Sequence, residues 1–269
     1  MGGILANQIK IHIYQMIDII FSITKYIVNN NSPLMSPIKI VEAFCFQIFT
    51  RVTGSVLSKK LFNGAELILY PRCNSSSLFV YSDIPDKEEV MLLRKLADKN
   101  TVFIDVGANI GSYSLLMKDV VKDCFAFEPH PVSYRRTKMN FLNNNLNENN
   151  VINVALSNKS GQVFFSNMED HLTENKIVNN AKGAIEVEAA KLDDWVKTMK
   201  FEKSVNFVVK IDVEGHENEM FEGGKKFFEN KRVKGIVFES FDGKKLVKYL
   251  EEMGYKVNKI SENNYWAKR

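Results

Sequence analysis

Apolar positions near the start of the chain recur every three or four residues. Ile9, Ile13, Met16, Ile20, Ile23 and Ile27 draw one stripe through residues 7–28, and Ile11, Tyr14, Ile19 and Phe21 lie off it. This spacing predicts a helix that is apolar most of the way round. Asp18 interrupts it, so no stretch reaches the roughly 18 uncharged residues of a spanning helix. The run also lacks the basic start and small-residue cleavage site of a signal peptide. Packing against its own domain or a second subunit is the plainest use of such a helix; contact with a membrane surface is the alternative. After a linker at residues 29–33, a second helix over 38–53 places Ile40, Val41, Phe44, Ile48 and Val52 on one face. The β-prone runs 66–70 and 78–81, separated by Pro71-Arg72-Cys73-Asn74-Ser75, predict a hairpin, and a helix is expected over 86–96.

From residue 102 onward the period changes. Short apolar runs at 102–104, 124–127, 151–155, 205–211 and 234–239 alternate with helical stretches. Strands alternating with helices predict a parallel sheet covered on both faces. Residues 161–166 and 184–189 read as additional antiparallel strands, and the polar segment 171–183 between them as a loop bordering a cleft. A hairpin over 255–260 and 264–268 closes the chain. The organisation expected is a helical extension (1–60), a hairpin and helix (61–97), and an α/β domain (98–269).

Candidate chemistry gathers at the ends of these strands. The first runs into Asp105-Val106-Gly107-Ala108-Asn109-Ile110-Gly111 and then a helix; the second ends on Glu128. Glycines in such a turn reach backbone angles closed to other residues and allow close approach to the main chain. A carboxylate at the tip of the second strand can accept hydrogen bonds from ribose hydroxyls. The turn departs from a dinucleotide fingerprint: its glycines are four apart, and Asp105 precedes them. That acid would repel a pyrophosphate but attract an ammonium. S-adenosylmethionine, with an ammonium, a sulfonium and a ribose but no phosphate, fits this combination better than NAD. The expected cofactor-binding residues are Asp105, Gly107, Ala108, Asn109, Gly111, Glu128 and Ala155.

These residues carry a resemblance. Asp-Val-Gly-Ala-Asn-Ile-Gly, Phe-Glu-Pro-His-Pro and, later, Val209-Lys210-Ile211-Asp212-Val213-Glu214-Gly215-His216-Glu217 resemble the FkbM-type methyltransferases from about residue 98 to the C-terminus. The resemblance implies a class I methyltransferase fold, a Rossmann-like seven-stranded mostly parallel sheet, here behind an N-terminal helical extension. It also implies methyl transfer from S-adenosylmethionine to a small-molecule or glycan hydroxyl. His216 is the candidate base, with Asp212 and Glu214 holding it or the acceptor, and His130 the next candidate.

Composition changes this picture little. Hydrophobic residues make up 45% and charged residues 25% of 269, and the net charge is +4, ordinary values for a globular chain. Cys45, Cys73 and Cys124 are odd in number and unpatterned, as in a reducing, cytoplasmic setting. No H-E-x-x-H, cysteine pair or EF-hand loop points to a metal, and none is expected, although Asp212, Glu214, His216 and Glu217 are all ligand types. Nucleic acid is not an expected partner: the loop after the 205–211 strand has Asp212-Val213-Glu214-Gly215 in place of the N/D-P-P-Y/F of amino methylation, no cysteine follows a proline, and no basic patch interleaves with aromatics. A scaffold docking through its first helix is the non-enzymatic alternative.

Overall fold

In the computed structural model, residues 2–167, 175–178, 181–241 and 243–269 are described, with 2–13, 15 and 16 represented by their backbone. Two helices open the chain, α1 (Gly2–Asn30) and α2 (Ser36–Thr53). Pro37 sits in the first turn of α2, and Gly54 ends it in the left-handed conformation, the asymmetry favoured at helix ends. A hairpin of β1 (Leu57–Lys60) and β2 (Glu66–Leu69) follows, then α3 (Asn74–Tyr81) and α4 (Lys87–Leu96).

Two expectations are corrected in this region. The hairpin pairs 57–60 with 66–69, turning near Gly64, rather than 66–70 with 78–81. The second β-prone run is helical because it buries Phe79, Val80 and Tyr81 against α2 and β2, and tertiary burial overrides a weak strand propensity. The expected apolar face of α2 is turned outward. Ala43, Phe46 and Thr50 are buried, while Val41, Phe44, Ile48 and Val52 are exposed.

The central sheet is built from β3 (Thr101–Val106), α5 (Ser112–Met117), β4 (Asp123–Phe127), α6 (Pro131–Asn143) and β5 (Val151–Ile152). The chain then leaves it for a smaller sheet of β6 (Ala155–Leu156), β7 (Gly161–Ser166), β8 (Ile177–Val178) and β9 (Ala184–Ala190). It returns through α7 (Leu192–Thr198), β10 (Asn206–Ile211), α8 (Glu217–Gly223), α9 (Lys225–Glu229), β11 (Val233–Glu239), α10 (Gly243–Glu252), β12 (Lys256–Lys259) and β13 (Asn264–Lys268). The predicted 151–155 strand therefore splits. Asn153 donates its side-chain amide to the carbonyls of Glu128 and Pro129 (2.8 Å each), and Ala155 belongs to the second sheet.

The seven strands lie in the order β12-β13-β11-β10-β3-β4-β5. Pairing is parallel from β11 through β5, and β13 runs antiparallel to both neighbours. This is the class I methyltransferase sheet. Every residue of β3 is buried, as a central strand covered on both faces requires. Strand order reverses between β3 and β10, so their carboxyl ends diverge and leave a crevice.

Candidate functional site at the carboxyl ends of the sheet

A cavity lies at this crevice. Its floor is the turn after β3, its sides are the ends of β4 and β10, and α3 and the small sheet close over it. Gly107, Ala108, Asn109, Glu128, Ala155, Asp212, Glu214 and His216 all line it. Eight of the eleven residues singled out from sequence thus converge, from four separate segments.

Asp105 and Gly111 stand behind the wall. Asp105 is fully buried, and its Oδ2 accepts from the backbone N–H (3.1 Å) and hydroxyl (2.8 Å) of Ser114. These contacts fasten the start of α5 beneath the turn, and Asp105 Oδ1 is buried without a hydrogen-bond partner. Burial pushes its carboxyl up, although Lys210 and the Ser114 hydrogen bonds oppose this. Gly111 (φ +76°) faces α6, where an added Cβ would meet Thr137 Cγ2 at 2.8 Å. Gly107 (φ +75°) has a similar purpose, since a Cβ there would overlap the carbonyl oxygen of Asp212. At both glycines an added side chain would meet the protein's own chain, and Gly107 also presents its backbone to the cavity.

Glu128 ends β4 with both oxygens engaged. Oε2 accepts from Asn109 N–H and Oε1 from His130 N–H, each at 2.8 Å. Burial pushes its pKa up to about 7 against those hydrogen bonds. Each oxygen keeps a second lone pair for a ligand hydroxyl. Beside it, Asn109 Oδ1 is buried without a hydrogen-bond partner, a polar atom that calls for a donor from the cavity. His130 does not line the cavity; it caps α6 through Nδ1 and meets Asn167 Oδ1 through Nε2 at 3.0 Å.

The polar wall opposite centres on Lys210, a residue to which sequence reading assigned no role. Its Nζ contacts Asp212 Oδ2 (3.0 Å) and the Gly107 carbonyl (3.3 Å) and lies 5.1 Å from the Tyr113 ring centre. Burial disfavours its charge, but Asp212, Asp105 and Asp86 outweigh that and hold its pKa above the ordinary value. Asp86 also lines the cavity and accepts from the Tyr113 hydroxyl at 3.3 Å. Asp212, Glu214 and Glu239 each place one carboxylate oxygen within 4.8 Å of the others. This set could hold a cation, and its third member comes from another strand. Burial, then the charges of Asp212 and Glu214, push Glu239 up to about 8.

His216 precedes α8. Its Nε2 meets Ser157 Oγ at 2.9 Å, and its Nδ1 lies 3.6 Å from Glu219 Oε2. Burial lowers its pKa, with Glu219 opposing. Asp212 and Glu214, the carboxylates expected to hold it or the acceptor, line the cavity, and Glu217 accepts from Gly215 N–H at 2.9 Å. His171 and five more of the thirteen residues of the expected cleft loop lie outside the described residues; the described part is not all loop, since β8 (Ile177–Val178) falls within it, and Asn175 and Ile177 line the cavity.

A family model described as "Methyltransferase FkbM domain" matches residues 105–257. Among curated proteins, the hexuronic acid methyltransferase AglP of Haloferax volcanii is 29% identical over 140 residues, covering 51% of this chain and 56% of that protein. Among solved structures, methyltransferase FkbM from Methylobacillus flagellatus aligns with TM-score 0.43 and 12% identity over 72% of this chain and 52% of that one. TrmK of M. capricolum, solved with S-adenosylhomocysteine, aligns with TM-score 0.38 and 13% identity over 66% and 65%. The chain spans about half the length of AglP and of the Methylobacillus protein.

Proposed function

Because this chain belongs to the methyltransferase FkbM family, we propose that it moves a methyl group from S-adenosylmethionine to a hydroxyl of a glycan or small metabolite. The observation that carries this reading is that Glu128, which accepts from Asn109 N–H, and the unpartnered Asn109 Oδ1 lie on one wall of the cavity. A ribose offers hydroxyl donors for the Asn109 oxygen and for the remaining lone pairs of Glu128. The cofactor supplies an electrophilic methyl group on its sulfonium. Alignment, exclusion of water and removal of one proton fall to the protein.

We assign proton removal to His216. Burial lowers its pKa, which favours the neutral imidazole that a base requires. The Ser157 hydroxyl fixes the ring through Nε2. Asp212, held by Lys210, and Glu214 lie on the same wall and suit the orientation of an acceptor hydroxyl. The hexuronic acid in the name of AglP favours a sugar as that acceptor.

The test is incubation with methyl-labelled S-adenosylmethionine and fractionated cell extract, followed by identification of the labelled product. An O-methylated sugar or metabolite supports the reading. Label confined to nitrogen or to nucleic acid contradicts it.

A further inference from the structure

The first 62 residues carry a surface that methyl transfer does not use. Two features coincide there. Phe21 and Val28 on α1, and Val41, Phe44, Ile48 and Val52 on α2, are all more than half exposed except Ile48, at 50%. The two helices pack against each other and against α3 through buried residues such as Ile27, Ala43 and Phe46, while these side chains face outward; residues 17–22 of α1 are exposed on every side. Beyond residue 62, among the described residues, the exposed large hydrophobic side chains are only four and scattered: Met91, Met139, Leu142 and Phe241. Single exposed apolar residues are ordinary; a concentration of them marks an interaction surface.

Charge follows the same boundary. Residues 1–62 contain six Lys or Arg and two Asp or Glu, whereas residues 63–269 contain thirty of each. The chain's whole excess of +4 therefore belongs to this extension. Some of that charge is internally neutralised: Lys39 pairs with Glu42 and Asp83, and Lys59 with Asp83. Lys25 and Arg51 are exposed within the apolar faces themselves. Lys25 follows Phe21 by four positions, and Arg51 follows Ile48 by three, spacings that put each on the same helix side. Long basic side chains among apolar ones can lay their stems along hydrocarbon and raise their charges to a headgroup.

We propose that α1 and α2 dock this protein onto an anionic lipid bilayer, lying in the interface with Phe21, Val28, Val41, Phe44, Ile48 and Val52 toward the acyl chains. Apolar burial and attraction to anionic headgroups act together in this mode of attachment. Among the described residues no helix is long and apolar enough to cross a membrane, so the contact is peripheral. A second copy of the chain fits the same apolar faces less well, because it would set one +4 extension against another. Docking would also reach the cavity. Gln47 of α2 donates to Ser77 Oγ (2.9 Å) and Tyr81 Oη (3.0 Å) of α3, and Ser75, Leu78 and Phe79 of α3 line the cavity.

The test is sedimentation of the full chain with vesicles of phosphatidylcholine alone or mixed with phosphatidylglycerol, with analytical ultracentrifugation of the same preparations. The proposal expects binding to the mixed vesicles, weakened by salt, and at least about tenfold weaker binding to neutral ones. Phe44→Ser with Val52→Ser, both at exposed positions, should abolish binding while the thermal midpoint stays near that of the parent. Lys25→Glu with Arg51→Glu should reduce binding by about tenfold or more. Absence of binding to the mixed vesicles, or binding insensitive to both pairs, overturns the proposal. So does a stable dimer that Phe44→Ser with Val52→Ser splits while vesicles are ignored, since it would assign the face to a second copy.

Discussion

Lys210 Nζ lies 3.0 Å from Asp212 Oδ2, tying the last turn of β10 to the loop that follows it. The same ammonium reaches the Gly107 carbonyl, so a single buried charge joins the two strand ends that form the crevice. Asp86 and Asp105 also lie within its field. Replacing it should leave those acids uncompensated. Lys210→Met is expected to cost up to about 3–5 kcal/mol of stability, the range for removing one partner of a buried ion pair. The loss should shrink as pH falls and Asp86 and Asp105, whose pKa values burial raises, take up protons. Urea denaturation at several pH values measures this.

Gly107→Ala should destabilise the protein by more than about 2 kcal/mol, because its φ of +75° and the adjacent Asp212 carbonyl both oppose a side chain. Cofactor affinity should fall with it, as the turn is displaced. A Gly111→Ala protein should be destabilised against α6 instead, through Thr137. Thermal melts of the two variants, with and without S-adenosylhomocysteine, separate these effects.

Much of the site was legible because its parts are local in sequence. The turn at 105–111, the acid at Glu128 and the run through Asp212 to His216 each sit where a strand ends, and strands were visible as short apolar runs. The partners of those residues were not legible, because they come from distant segments. Ser157 meets His216 across 59 positions, and Glu239 joins Asp212 from the neighbouring strand. Nothing local in the strand sequence shows that Lys210 turns its charge toward three acids. The N-terminal region misled for another reason. Periodicity shows that α2 has an apolar face but not which way it points, and here Ala43, Phe46 and Thr50 go inward. Residues 74–81 form a helix because of what they pack against, which no window of eight residues contains.

Two carboxyls make stability depend on pH in a defined direction. Glu128 and Glu239 have folded-state pKa values pushed up to about 7 and about 8, above an unfolded value of roughly 4.3. The folded chain therefore binds more protons than the unfolded chain across that interval, and stability falls as pH rises through it. The free protein should melt higher near pH ~5.5 than near pH ~8.5. Glu239→Gln should flatten part of that slope. Calorimetric melts across the range provide the check.

For the proposed base, His216→Ala should lower the single-turnover rate by about 10²–10⁴ while leaving cofactor affinity nearly intact. The acid limb of the wild-type rate profile should lie below the ordinary histidine value of roughly 6.5, because burial lowers this imidazole's pKa. Ser157→Ala should shift that limb and reduce the rate less than His216→Ala does. A near-normal rate in His216→Ala would move the proton to another group on the same wall.

The central claim is that the cavity at the β3–β10 crevice binds S-adenosylmethionine through Glu128. Calorimetric titration of the purified chain with S-adenosylhomocysteine and with NAD, in wild type and Glu128→Ala, tests it most directly. The account predicts saturable binding of S-adenosylhomocysteine, poor binding of NAD, and a loss of about 1–3 kcal/mol in the variant. Wild-type affinity should also tighten as pH rises from about 6 to 8 and Glu128 ionises. Tight NAD binding without S-adenosylhomocysteine binding, or an affinity unchanged by Glu128→Ala, would contradict it.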